Sequence, residues 1–186
     1  HLANNDQAGA TQSQSVAVVA AGLLTLPAAA GLFVLAAPIV SLLFERGAFT
    51  ADDRLVTAQL LQLFCLGLPA FIFVKALQPS FFARQDTKTP LIDGAIGVGV
   101  NIVLSLAFFP HYGAPAIAAA TSAAGWVTLA LMVVRLARRG LWKADAEMLM
   151  RLGGQLVAAL GMAFVLFWLS DFWPAPTSQT IALFVW

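Results

Sequence analysis

Arg84, Asp86 and Lys88 fall within five positions of one another, in the stretch Phe81-Phe82-Ala83-Arg84-Gln85-Asp86-Thr87-Lys88-Thr89-Pro90. Two cations flanking a carboxylate can draw a phosphate-bearing headgroup to the mouth of a transport path. A local excess of positive charge concentrates anions and makes charge-assisted hydrogen bonds to phosphate oxygens. The same residues can instead stop one helix, start the next and anchor the turn, with Asp86 pairing Arg84 or Lys88. Further candidates lie inside apolar runs, where an unpartnered polar group is costly. Lys75 either snorkels to the nearer interface or faces a wet cavity and attracts an anionic headgroup. Asn101 and Ser105 share one helix face, and Gln59 and Gln62 share another; helix–helix hydrogen bonding and cavity lining both suit such pairs. The substrate-path candidates are therefore Arg84, Asp86, Lys88, Lys75 and Asn101.

Catalytic chemistry is poorly represented. His1, His111 and the single cysteine, Cys65, do not assemble a metal-ligand pattern. His111 lies in Pro110-His111-Tyr112-Gly113 and reads as a solvated turn histidine, and Cys65 reads as a small buried apolar residue. Gly94, Gly97 and Gly99 suit helix packing better than a nucleotide loop, and no nucleophile–base pairing is evident. No enzyme activity, metal or cofactor is expected. A net charge of +1 offers no nucleic-acid footprint.

The elements that must position these residues follow from composition. The chain of 186 residues is 60% hydrophobic and 10% charged, with mean hydropathy +0.85. Soluble domains carry roughly 25% charged residues, and long apolar runs in a bilayer must be helices because lipid offers backbone groups no partners. The fold class is an all-α polytopic transmembrane bundle. Spans are expected at about 16–44, 55–82, 90–109, 114–134 and 148–169, with a sixth, truncated, at 180–186. Pro27 and Pro38 can kink the first span. Gly47 suits a helix C-terminus, while Thr50 followed by Asp52 and Asp53 suits an N-cap with acids in the first turn. Thr89 is expected to cap the third span, with Pro90 in its first position.

Basic residues set the orientation. Arg84 and Lys88 follow the second span, and Arg135, Arg138, Arg139, Lys143 and Arg151 cluster around the connection after the fourth, so these two loops share one side. The other side has Arg46 and Arg54 offset by Glu45, Asp52 and Asp53. The 84–88 and 135–151 loops are therefore cytoplasmic, and so is the N-terminal tail. Trp142 on one side, and Tyr112, Trp168 and Trp173 on the other, are expected in interfacial aromatic belts. Trp142 to Arg151 mixes apolar and charged residues and suits a stretch lying along the interface. Small residues predict close helix packing: Gly94, Gly97 and Gly99 on the third span, Ala118 to Gly125 on the fourth, and Gly153, Gly154 and Gly161 on the fifth.

The chain starts at His1 without a signal-peptide pattern and stops at Trp186, inside a new apolar run that begins near Thr180. It is expected to be a single membrane domain, 1–186, cut from a longer transporter. Phe44-Glu45-Arg46-Gly47-Ala48-Phe49-Thr50, Gly67-Leu68-Pro69-Ala70 and Phe82-Ala83-Arg84-Gln85-Asp86-Thr87-Lys88-Thr89-Pro90 together resemble the lipid II flippase family (MurJ/MviN) in order and spacing. The family belongs to the multidrug/oligosaccharidyl-lipid/polysaccharide exporter superfamily. The resemblance implies fourteen transmembrane helices, of which these would be the ninth to the fourteenth. It also implies a location in the bacterial cytoplasmic (inner) membrane and transfer of lipid II, an undecaprenyl-diphosphate-linked precursor, to the outer leaflet. The main substrate-binding arginines would lie on helices upstream of His1, and the last helix pair would help form an apolar groove for a lipid tail. Partners would be lipid II, membrane lipids and the missing helices. Two alternatives stand beside it: a related exporter of polysaccharide-linked lipids or drugs, and a non-transporting membrane scaffold.

Overall fold

The structure, a computed structural model, describes residues 2–44, 49–142 and 145–170. Six helices make it up: α1 (Leu2–Val34), α2 (Ala36–Phe44), α3 (Ala51–Phe82), α4 (Lys88–Tyr112), α5 (Ala114–Arg138) and α6 (Ala146–Ser170). All but α2 are long and apolar enough to cross a membrane. The helices pack as a row, α4 on α5, α5 on α3, α3 on α1 and α1 on α6, with α2 against α3. The end helices leave most of their apolar surface outside the bundle: Leu106 of α4 is 73% exposed and Phe164 of α6 is 71% exposed. Such surface is stable only against lipid or further protein.

Helix boundaries depart from the sequence reading in instructive ways. The helix that carries the first span starts well before it, at Leu2, while its stretch apolar enough to cross a membrane is Gln12–Val34. It also breaks at Leu35, three residues before Pro38, whose missing N–H leaves the Val34 carbonyl without a helical donor. Pro27, by contrast, stays inside α1. Thr50 does cap α3: its hydroxyl accepts from the Asp53 N–H at 3.3 Å, while the Asp53 carboxylate accepts the Thr50 N–H at 2.9 Å. Glu45 to Ala48, including the Gly47 turn, lie outside the described residues, as do Lys143, Trp173 and the truncated span 180–186.

At the other end of α3 the turn closes in a Schellman motif. The Asp86 N–H donates to the Phe81 carbonyl and the Gln85 N–H to the Phe82 carbonyl, with Gln85 at φ 58°. The end of α5 repeats the motif with Leu141 to Leu136 and Gly140 to Ala137, Gly140 at φ 64°. Helix α4 then starts at Lys88, so Thr89 is not its cap and Pro90 is not its first residue. Asp86 takes that task instead: its Oδ1 accepts the Thr89 N–H at 3.0 Å and its Oδ2 the Thr89 hydroxyl at 2.6 Å. A carboxylate three residues upstream outcompetes the threonine and lets the helix begin sooner.

The main core joins Val18 of α1, Leu77 and Phe81 of α3, Met132 and Leu136 of α5, and Met148 of α6. Trp142 belongs to it and is only 7% exposed, so it is a core residue, not part of an aromatic belt. In the adjoining segment α6 begins at Ala146 and buries Met148 against that core, while residues 143–144 lie outside the described residues. Tyr112 and Trp168 are exposed, as belt residues would be. Packing by small residues is real but falls elsewhere than expected on α6. A side chain at Gly153, Gly154 or Gly161 would meet nothing, nor would one at Gly94 or Gly99. The close approaches are at Gly67 and Gly125 (α3 on α5), Gly97 (α4 on α5) and Gly22 (α1 on α6). At Gly67 an added Cβ would sit 2.8 Å from the Ser122 Cα, a backbone atom that cannot swing aside.

Candidate functional site

The α3–α5 crossing sets the geometry on which the polar residues depend. The Ser122 hydroxyl donates to the Leu63 carbonyl at 2.6 Å, and the Trp126 indole N–H donates to the Leu66 carbonyl at 2.9 Å. Both are α5 side chains bonded to α3 backbone, and the glycine at 67 lets the helices come near enough for them. With α4 packed on the neighbouring face of α5, a groove of about 470 Å³ opens between α3, α4 and α5.

This groove brings together Lys75 and Asn101, two of the five sequence candidates. Lys75 and Gln78 come from α3, Asn101 from α4, and Thr121 and Thr128 from α5. The Asn101 Nδ2 donates to Thr121 Oγ1 at 2.8 Å, and the Ser105 hydroxyl donates to Asn101 Oδ1 at 3.1 Å. The Thr121 hydroxyl in turn donates to the Ile117 carbonyl at 2.8 Å. Asn101 thus makes the link from α4 to α5 and lines the groove at once, while Ser105 braces it from within α4. Gln62 also bonds across helices, its Nε2 donating to the Phe33 carbonyl at 3.2 Å. Lys75 is different. It is exposed on the groove wall, and no carboxylate among the described residues pairs with it. A cation without a counter-ion beside amide and hydroxyl groups is an environment suited to an anion.

The other three candidates lie apart, at the end of the bundle. Arg84 and Lys88 are exposed on the α3–α4 turn and make no ion pair among the described residues. Asp86 pairs with neither of them. Its partner is Arg139, at the end of α5, whose Nη1 lies 2.6 Å from Asp86 Oδ2 and whose Nη2 reaches the Thr89 hydroxyl at 3.0 Å. The Arg139 guanidinium, with help from Thr89, holds the Asp86 carboxyl well below the usual carboxylate range. One turn into α4, Asp93 is completely buried, with Arg135 Nε at 2.8 Å from its Oδ1. The contact is short but off-angle, so neither Asp93 oxygen receives an aligned hydrogen bond among the described residues. Arg139 also stands over the Phe81 ring, 6.0 Å from its centroid.

Sequence reasoning placed Arg135 and Arg139 only as topology markers. Their spacing of four puts both on one face of α5, and Asp86 and Asp93 are seven apart. Those spacings were the available signal, but only packing shows that the two faces meet. Gln78, one turn from Lys75, and the Thr121/Thr128 pair were missed in the same way. The meeting of Asp86 with Arg139 does put the 84–88 and 135–139 segments at the same end of the bundle.

Comparison with known proteins gives this arrangement a family. Residues 1–185 match the family model described as Lipid II flippase MurJ. A protein of Rhizobium meliloti (strain 1021) named "Probable lipid II flippase MurJ" is 43% identical over 180 residues, which is 97% of this chain and 33% of the relative. A protein of the same name from Rhizobium tropici is 41% identical over 167 residues, covering 90% of this chain and 31% of the relative. A solved structure titled "Lipid II flippase MurJ, inward closed conformation" superposes with a TM-score of 0.79 at 30% identity, over 91% of this chain and 35% of the other. The chain spans about a third of the length of these proteins. With the family model matched over residues 1–185 and a helix row that superposes on the solved structure, the chain belongs to the lipid II flippase MurJ family.

Proposed function

We propose that residues 1–186 form the C-terminal membrane unit of a multi-pass flippase in a bacterial cytoplasmic membrane. The whole polypeptide carries lipid II from the cytoplasmic to the periplasmic leaflet for cell-wall synthesis. The observation that carries this reading is Lys75: a cation with no ion-pair partner among the described residues, on a largely apolar groove that also carries Gln78, Asn101, Thr121 and Thr128. Family membership supports the substrate class.

Moving a lipid with a diphosphate headgroup requires a polar route for the headgroup while the polyprenyl tail stays in the hydrocarbon. Lys75 supplies positive charge along that route, and Asn101 supplies an amide held in position by Thr121 and Ser105. Arg84 and Lys88 gather anionic headgroups at the cytoplasmic rim, where exposed charge acts over roughly a Debye length of ~8 Å. Asp86 contributes by position, because Arg139 ties it and so keeps the turn and its two cations on the rim. Rocking of this unit against the remaining helices of the polypeptide would expose the groove to each side in turn. The reading assigns transport, with no bond made or broken by the protein.

Complementation of a flippase-depleted strain by the full-length parent tests the assignment. Lys75→Met keeps the length of the side chain and removes its charge. It is expected to cut lipid II translocation about ten-fold, the factor that ~1.4 kcal/mol of lost phosphate attraction corresponds to. Failure of the unaltered parent to complement would remove the substrate assignment. Full activity of Lys75→Met at normal protein levels would remove the groove.

A further inference from the structure

A second cavity, of about 810 Å³, lies between residues 12–23 of α1, the described part of the α5–α6 connection and the first turns of α6. It is at the same end of the bundle as the 81–90 turn, since Trp142 in its wall shares a core cluster with Phe81. Two of its wall residues carry buried hydrogen-bonding groups without partners among the described residues: the Trp142 indole N–H and the Ser15 hydroxyl. A buried donor without a partner costs about 1–3 kcal/mol, so such groups mark places where a ligand acceptor fits.

Charge and polarity around the cavity define that ligand. On one rim Glu147 is matched by Arg151 at 2.6 Å, which leaves Asp145 exposed and without an ion-pair partner among the described residues. On the other side α1 presents Gln12 and Ser15 first, then Val16, Val19 and Leu23 along the same wall. Val16 is 62% exposed and Leu23 58% exposed. The apolar run of α1 begins at Val16, just past Gln12 and Ser15, so the polar groups sit toward headgroup depth and the apolar stripe runs toward the membrane centre. An occupant must therefore offer an acceptor to Trp142 and Ser15, a cation to Asp145, and an apolar body to the α1 stripe.

We propose that this cavity binds a zwitterionic aminophospholipid. Its phosphate accepts from the Trp142 N–H and the Ser15 hydroxyl, its ammonium faces Asp145, and one acyl chain lies along Val16, Val19 and Leu23. A lipid with an anionic headgroup lacks the ammonium and faces the Asp145 carboxylate unfavourably. A soluble phosphoethanolamine ester shares the headgroup chemistry but not the chain. The proposal does not depend on the transported substrate.

The test uses the full-length parent, purified in detergent, with lipid retention read by native mass spectrometry and stabilisation read by thermal unfolding. Phosphatidylethanolamine should bind at least five-fold tighter than phosphatidylglycerol, and glycerophosphoethanolamine should give no shift. Trp142→Phe removes the donor and also replaces the buried indole with a smaller ring, so it should weaken phosphatidylethanolamine about five-fold and also lower the lipid-free melting temperature. Asp145→Asn should erase the preference for phosphatidylethanolamine over phosphatidylglycerol. Equal binding of the two lipids, a Trp142→Phe protein that binds like the parent, or a full-length structure with another segment of the polypeptide filling the cavity would each overturn the proposal. Binding of glycerophosphoethanolamine as tight as the lipid would overturn the lipid assignment.

Discussion

The end of the bundle and its groove hold similar polar residues but use them in opposite ways. At the end, two aspartates from the turn and α4 meet two arginines from α5, and each carboxylate has a cation within 3 Å: 2.6 Å for Asp86 and 2.8 Å for Asp93. Charge there is consumed by the fold, locking α4 to α5 where the helices leave the apolar layer. Around the groove the neutral groups satisfy one another, Ser105 to Asn101 to Thr121 to Ile117, and Lys75 has no ion-pair partner among the described residues. Arg84 and Lys88 likewise make no ion pair among the described residues. Presence of charge therefore says little about function; whether a partner from another helix already neutralises it says much more.

The contrast breaks most decisively at Arg135. Arg135→Ala leaves the fully buried Asp93 carboxylate without its cation, and breaking such a pair costs about 3–5 kcal/mol. The full-length parent should lose most of its folded yield and melt at a markedly lower temperature. Adding Asp93→Asn to Arg135→Ala should restore much of the loss, since the charge is then gone from both sides. A single variant as stable as the parent would mean that the end cluster is no lock.

Next in size is the pair left unpaired on the rim. Arg84→Ala with Lys88→Ala should lower lipid II translocation about three-fold, with the loss shrinking at high salt, because exposed charges act through screened attraction. Folding should be unaffected. A collapse in folded yield would place these cations with the structural group and erase the distinction drawn here.

Smaller still is the pH response of Asp86. Its folded pKa is depressed, so its contribution to stability is present above the unfolded value of about 3.9 and is lost as pH falls below it. Thermal unfolding between pH 3 and pH 7, values chosen to bracket roughly that pKa, should show a low-pH loss that Asp86→Asn reduces. Asp86→Asn should also lose less stability than Arg135→Ala, because Asp86 is partly exposed and Asp93 is not. The smallest effect is a gain. Gln85 holds a left-handed conformation that costs a residue with a Cβ about 1 kcal/mol, while α5 ends in the same motif with glycine. Gln85→Gly should raise stability by up to about 0.5 kcal/mol after its extra unfolded-state entropy is subtracted.

Much of this protein could be read along the chain. Five runs of apolar residues required five membrane-crossing helices, because an unpaired backbone does not survive in lipid. Thr50 with Asp53 spelled a capping box, since cap bonds join residues three apart. The pairing of Asn101 with Ser105 followed from a four-residue spacing. Where a rule of local chemistry had a rival, as between Asp86 and Thr89, the local reading failed by one turn.

What the sequence by itself determined was what depends on neighbours in the chain: class, the apolar helices, the Thr50 cap and which residues are costly in a bilayer. Tertiary structure alone decided partners. It sent Asp86 to Arg139, 53 positions away, and turned Trp142 from a presumed interface residue into core. It put the close helix contacts at Gly22 and Gly67 and left Gly153 facing nothing. It also set Lys75 in one groove with Asn101 and Thr121, without an ion-pair partner among the described residues. The reason is geometric: a helix fixes which of its own residues share a face, but the rotation and depth of its neighbour decide what that face meets.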